Sequence, residues 1–137
     1  MGTRRQAREA ACQMLYQMDV RHEWQDQHIA PFWHLLEELP SRDGRKYAEA
    51  IVRGILDERE RLDKLVAETS KNWSIERMAA IDRNILRAAA WEMTGPSKLA
   101  PGIVIDEWVE IAKKFGTDQS PAFINGILDQ VAKKVPR

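Results

Sequence analysis

The sequence predicts an all-α fold, and three observations support this prediction. Apolar residues recur at the three- and four-residue spacing of a helix face, and no segment shows the strict alternation of a half-buried strand. The 7 glycines and 6 prolines stand mainly between these periodic segments, where helices begin and end. With 137 residues, 44% of them hydrophobic, the chain can bury a core without disulfides or metal. We therefore expect a single compact domain of about six to seven helices, packed as two sub-bundles at roughly residues 1–70 and 71–137.

The first predicted helix has a narrow stripe of small and medium-sized apolar side chains. This stripe consists of Ala7, Ala10, Ala11, Met14, Leu15 and Met18. Thr3 is available as its N-cap. After a polar stretch, a short second helix is predicted to open near Pro31 and to stop at Pro40.

A long helical pattern then runs from about residue 44 to residue 70. Ser41 or Asp43 can cap it, because both side chains can accept a hydrogen bond from a free amide of the first turn. Gly54 and the charged run 57–61 could bend or interrupt it. We therefore expect either one long helix or two joined helices.

Three more helices are predicted in the C-terminal half. Asp82 is expected to cap a central helix that ends at Gly95. The next helix follows Pro101 and stops at Gly116, a residue suited to a left-handed C-terminal cap. The last helix begins at Ser120.

Composition limits the possible functions. Lys+Arg and Asp+Glu both number 21, so an anion-binding surface must be local. The single cysteine, Cys12, excludes an internal disulfide and favours a reducing compartment, so we expect a cytoplasmic protein. No segment is long and apolar enough to span a membrane. The three histidines lack ligand partners at metal-binding spacing, and no phosphate loop or nucleophile motif appears, so we expect no enzyme, metal or cofactor.

One face of the first helix resembles a platform for single-stranded RNA. At about 100° per residue, the side away from the apolar stripe carries Arg5, Arg8, Cys12 and Tyr16. Arg4 lies beside this face. Arginines can clamp phosphates and an exposed tyrosine can stack on an unpaired base. The alternative is that Arg5 pairs with Glu9 and that a neighbouring helix partly covers Tyr16.

The final helix and the central helix carry less specific signals. Phe123 and Asn125 lie on the two flanks of the buried stripe of the final helix, and Gly126 implies close approach of either another helix or a ligand strand. On the central helix, Arg83 and Arg87 are four residues apart and are expected to be exposed, as a basic ridge.

Four blocks of sequence, taken together, resemble one protein family. They are residues 4–11 (RRQAREAA) with Leu15 and Tyr16, residues 82–87 (DRNILR), residues 105–116 (IDEWVEIAKKFG) and residues 123–129 (FINGILD). Their order and content strongly resemble the NusB family of bacterial transcription antitermination factors. Gln119 departs from this pattern, since the family often has an acidic residue there.

This resemblance implies an all-α fold of two helical subdomains and a role in transcription. It implies binding to boxA-type RNA of ribosomal RNA transcripts, partnership with NusE and entry into the elongating RNA polymerase complex. The RNA-binding residues would be Arg4, Arg5, Arg8, Tyr16, Phe123 and Asn125. The surface facing NusE would involve Asp82 and Arg83. Some family members form homodimers that hide the RNA face, and the sequence does not decide whether this chain does so.

Two other functions remain open at this stage. The chain could be a helical protein adaptor whose arginines only solubilise the surface. It could also be the RNA-binding module of a ribosomal RNA methyltransferase, although 137 residues leave no room for a nucleotide-binding α/β domain.

Overall fold

A computed structural model describes residues 2–71, 73–96 and 99–135. Within these ranges it contains helices and no strand, so the predicted all-α class is confirmed. The six α-helices are α1 (Gly2–Arg21), α2 (Ile29–Trp33), α3 (Arg42–Thr69), α4 (Ala80–Thr94), α5 (Pro101–Phe115) and α6 (Ser120–Lys133). Two short 3₁₀ turns, Asp26–His28 and Ile75–Arg77, precede α2 and α4. None of the described helices is long and apolar enough to cross a membrane.

Helix α4 lies at the centre of the molecule, as its sequence predicts. It packs against α1, α3, α5 and α6, and every residue from 84 to 90 is buried. Helix α1 runs antiparallel to α4, because Arg8 near its start contacts Glu92 whereas Asp19 near its end contacts Arg83. Buried apolar side chains from all six helices join one hydrophobic cluster. The division into sub-bundles near residue 70 stays a prediction.

The helix caps in the structure agree only partly with the predicted ones. The Ser41 hydroxyl accepts a hydrogen bond from the Gly44 amide at 3.1 Å, as a helix cap does. Thr3 and Asp82 lie inside their helices, which begin at Gly2 and Ala80, so neither residue is an N-cap. Gly116 ends α5 with φ −95° and is therefore not left-handed. Its missing side chain instead admits Ser120, whose Oγ would lie 2.5 Å from a Cβ at that position.

Helix α3 contains the irregularity that its sequence predicts. Glu58, inside the charged run 57–61, has non-helical backbone angles (φ −122°, ψ 19°) and kinks the helix. Gly54 serves packing, because a Cβ there would lie 2.2 Å from the indole of Trp91 in α4. This glycine therefore allows α3 and α4 to approach each other closely.

The prediction for the short second helix is wrong about where the helix ends. Helix α2 ends at Trp33, and turn hydrogen bonds carry the backbone through Leu35 and Leu36. Leu35 and Leu39, which lie within the predicted helix, are 66% and 54% exposed. Leu36 of the same segment is partly buried against the hydrophobic cluster.

Candidate nucleic-acid interface

Helix α1 is buried around more than half of its circumference, so part of the face that was predicted to be exposed is buried. It packs against α3, α4 and α5 at once. Arg8 is only 3% exposed and Cys12 is fully buried, although the helical wheel placed both outside. Burial raises the pKa of the Cys12 thiol to about 12, so it stays protonated at neutral pH. A wheel identifies one apolar face, whereas a helix with three neighbours buries a second face of small and polar residues.

Arg8 belongs to a buried polar network at the start of α1. Its Nε and Nη2 donate to the Glu92 carboxylate at 2.7 and 3.0 Å. The Trp108 indole donates to Glu92 at 2.7 Å, and the Tyr47 hydroxyl donates to it as well. Burial and the hydrogen bond to Glu92 raise the pKa of Tyr47 to about 12. This network joins α1, α3, α4 and α5, so Arg8 serves the fold and cannot reach a ligand in this arrangement.

Arg5 and Arg4 are closer to solvent and differ from each other. Arg5 makes a bidentate ion pair with Glu107 of α5, at 2.7 and 2.9 Å, so the predicted alternative pair with Glu9 is wrong. Glu9 is instead paired with Lys114 of α5 at 2.9 Å. Arg4 is exposed, with its guanidinium 4.9 Å from the centre of the Tyr47 ring. Arg4 can therefore meet a phosphate directly, whereas Arg5 can do so only by leaving Glu107.

Tyr16 lies about three turns beyond Arg5 on α1, on the exposed side of the helix. Its side chain is 39% exposed, and Val20, one turn later, is 48% exposed. The ring is therefore available for stacking, as the sequence predicted. Its contact with RNA stays a prediction.

On α6, the structure places Phe123 and Asn125 on different flanks. Phe123 is half-buried and meets the Trp73 ring edge-to-face, with centroids 6.0 Å apart. Asn125 is exposed. No described heavy atom lies within 4 Å of a Cβ built on Gly126, so the expectation that a helix packs against this glycine is wrong. A ligand strand remains as the other explanation.

The predicted basic ridge on α4 is wrong. Arg83 and Arg87 both bind Asp19 of α1, and Arg87 also binds Asp63 of α3 at 2.6 Å. Their side chains are only 18% and 6% exposed. The prediction failed because other helices enclose α4 on nearly all sides. Buried arginines are tolerated only when carboxylates pair with them.

Asp82 has a different environment. Its Oδ1 atom is buried and has no hydrogen-bond partner among the described residues. Asp82 lines a small groove of about 140 Å³ together with Trp73, Arg77, Met78, Ala79, Thr117, Gln119 and Phe123. A buried acceptor without a donor is costly, so a donor from a binding partner would stabilise it.

Several of these features lie along α5. Arg5 contacts Glu107 in the middle of this helix, and Glu9 contacts Lys114 near its end. The loop after α5 then reaches the groove that Phe123 and Asp82 share. Sequence reasoning missed Trp73, Glu107 and Lys114. Trp73 alone offered a signal, as a tryptophan among polar residues, whereas the other two matter only through contacts between helices.

The described residues offer no metal centre. None of them form a group of three or more His, Cys, Asp or Glu side chains that could hold a metal ion. The arrangement of cations, exposed rings and grooves is suited to binding a polyanion with unpaired bases.

Comparisons with known proteins point to one family. The family model described as "NusB family" matches residues 5–133. The transcription antitermination protein NusB of Geobacter sulfurreducens is 45% identical, over 99% of this chain and 98% of the relative. That of Sorangium cellulosum is 38% identical, over 100% of this chain and 96% of the relative. Both relatives are named as transcription antitermination proteins.

Solved structures show the same fold. T. maritima NusB is 34% identical with a TM-score of 0.85, over 97% of this chain and 93% of that one. A chain from the crystal structure of the antitermination factors NusB and NusE in complex with dsRNA is 26% identical, with a TM-score of 0.87 over 98% of both chains. From these matches and the helical architecture, we conclude that the chain belongs to the NusB family.

Proposed function

We propose that this chain is an RNA-binding transcription antitermination factor. It binds boxA-type RNA of ribosomal RNA transcripts together with NusE, and it joins the elongating RNA polymerase complex in the cytoplasm. The observation that carries the proposal is the match, over 98% of both chains, to a chain from a structure of NusB and NusE in complex with dsRNA.

The RNA would contact the candidate residues described above. Arg4 is free to neutralise a phosphate, and Arg5 is next to it. Lys113 and Lys114 of α5 are 57% and 59% exposed, and a phosphate could bind them by displacing their carboxylate partners, Glu110 and Glu9. Tyr16, Phe123 and Asn125 would then supply ring faces and an amide for unpaired bases. Arg8 would act as a positioning residue, because its guanidinium is committed to Glu92.

NusE would bind near the start of α4. The unpaired Oδ1 of Asp82 supports this placement, since a partner's N–H or cation could satisfy it. Arg83, which is bound to Asp19, would hold the start of α4 in position. A protein site beside an RNA site explains adaptor function, because each ligand raises the effective concentration of the other.

A salt-dependent RNA titration tests the proposal. We expect the double variant Arg4→Ala/Arg5→Ala to bind a boxA-type RNA more weakly than the wild type. Two lost phosphate contacts should flatten the slope of log K against log salt by about 1.4, at about 0.7 per phosphate for single strands. Adding NusE should tighten RNA binding by the wild type and by the double variant.

Arg53→Ala/Arg61→Ala is the matched control. It removes the same charge from exposed arginines of α3, which are 51% and 44% exposed. Its salt slope should equal that of the wild type. Equal slopes for both double variants would contradict the proposed RNA surface. Light scattering in the same titration reports whether a homodimer of the free chain competes with RNA.

A further inference from the structure

The unexplained feature is Trp73, which lies between α3 and the turn before α4. It is 52% exposed, whereas Trp108 is fully buried and Trp33 is 9% exposed. Those two indoles donate hydrogen bonds to Glu92 and Glu49. Leaving so large an aromatic surface in water sacrifices much of the free energy that its burial would provide, so Trp73 needs another explanation.

Trp73 is held in place by its backbone. Its amide donates to the Ser70 carbonyl at 3.0 Å, and the Ser70 hydroxyl donates to the Trp73 carbonyl at 3.0 Å. Ser70 itself is buried, and its hydroxyl also contacts the Val66 carbonyl at the end of α3. The exposed indole is therefore presented from a fixed backbone, which lowers the entropic cost of binding.

The ring geometry leaves aromatic surface free. The planes of Trp73 and Phe123 are inclined by 85°. In such an edge-to-face pair each ring keeps at least one face that the other does not cover. A base can therefore stack on one ring while a second base stacks on the other.

The ring pair borders a groove of about 690 Å³ between the end of α3 and α6. It is lined by Glu68, Thr69, Ser70, Lys71, Trp73, Phe123, Gly126, Ile127, Gln130 and Lys134. Gly126 leaves its floor open, although a glycine inside a helix costs about 1 kcal/mol relative to alanine. Gln130 can hydrogen-bond a base edge and Lys71 can approach a backbone phosphate, whereas Lys134 must first leave Glu68, its ion-pair partner at 3.7 Å.

We propose that Trp73 and this groove bind an unpaired nucleobase of the RNA, adjacent to the base held at Phe123. The inference rests on the proposed function and extends its RNA track past Phe123. Continuity with Phe123 and the exposed Lys71 favour RNA over a protein segment as the occupant. Trp73 stacks on the base, Gly126 provides the space, and Gln130 contacts the base edge.

Stacking predicts a measurable loss. RNA affinity of Trp73→Ala should fall by about 5- to 100-fold, the range for one lost base-stacking contact, whereas Trp73→Phe should retain most of it. Removing the one base that occupies the groove, by an abasic substitution scanned along the RNA, should weaken binding to the wild type and not to Trp73→Ala. Gly126→Leu should also weaken binding, because its side chain fills the groove without altering Trp73.

Ile103→Ala is the matched control, because Ile103 is a 57% exposed apolar residue on α5 outside the groove. It should bind RNA as the wild type does. If Arg4→Ala/Arg5→Ala loses affinity but Trp73→Ala does not, this inference is overturned and the proposed function stands. If no variant alters RNA affinity, both fail. If Trp73→Ala weakens NusE binding alone, the groove belongs to a protein partner and the inference is overturned.

Discussion

Three arginines within the first two turns of α1 have the same chemistry and three different environments. Arg4 is exposed, Arg5 shares a half-buried ion pair with Glu107, and Arg8 is buried against Glu92. The hydrogen bonds between Arg5 and Glu107 raise the pKa of the arginine and lower the pKa of the carboxyl group. Both groups are therefore charged at neutral pH. A phosphate must compete with Glu107 for Arg5.

This competition predicts that Glu107→Gln strengthens RNA binding. The variant removes a charge that repels phosphate and frees Arg5. Because exposed ion pairs contribute about 0.2–1 kcal/mol, the gain in affinity should be up to about fivefold. Glu58→Gln, which removes the same charge from a pair with Arg61 on α3, should leave the titration curve unchanged. Weaker RNA binding by Glu107→Gln would mean that Glu107 positions Arg5 for the ligand.

At the scale of helices, glycines in apparently similar positions have opposite surroundings. Gly54 in α3 faces the Trp91 indole at a distance that excludes a Cβ. Gly126 in α6 faces open space. The spacing of glycines in the sequence does not separate these cases, because both lie inside helical patterns and the difference comes from the neighbouring helix.

The two glycines therefore predict opposite responses to alanine in urea unfolding. Gly54→Ala should lower the free energy of unfolding by about 1–3 kcal/mol, because α3 and α4 must separate to admit the methyl group. Gly126→Ala should raise it by about 0.4–1 kcal/mol, because it restricts the unfolded chain without a clash. A stability gain in both variants would show that Trp91 can move aside.

At the scale of the whole molecule, two buried polar networks fasten α1 to the central helix. The Glu92 network lies at one end and the Asp19 network at the other. Asp19 accepts hydrogen bonds from Arg83, Asn84 and Arg87. Burial alone would raise the pKa of Asp19, but these hydrogen bonds and the two arginine charges outweigh it and lower the pKa.

The lowered pKa predicts acid sensitivity. In the unfolded chain the pKa of Asp19 returns to about 3.9, so the carboxylate stabilises the fold above that pH. This contribution is lost as the pH falls through the lower pKa of the folded state. Asp19→Asn should lower the free energy of unfolding at pH 7 by about 3 kcal/mol or more, and the difference from the wild type should shrink below about pH 4.

Asp26→Asn provides the control for urea unfolding at both pH values. Asp26 is 71% exposed and lies 3.5 Å from Arg53, so its replacement should change stability by less than about 0.5 kcal/mol at either pH. A constant difference between wild type and Asp19→Asn from pH 7 to pH 3 would rule out titration of Asp19 as the cause.

Local sequence was enough to predict α1, α3, α4, α5 and α6, the central position of α4 and an irregularity near the charged run of α3. These depend on local spacing, capping and glycine or proline positions, which act over a few residues. The resemblance of four blocks also pointed to the family that the comparisons then showed. The exposed position of Tyr16 was readable for the same local reason.

Only the tertiary structure decided which polar residues are buried and what they contact. Arg8 and Glu92 are 84 residues apart in the sequence, and Arg5 and Glu107 are 102 apart. No local pattern indicates that such residues will meet, because a buried charge looks like a surface charge until its partner is known. For the same reason, Trp73 became a candidate ligand contact only when α3 and α6 were seen to leave a groove beside it.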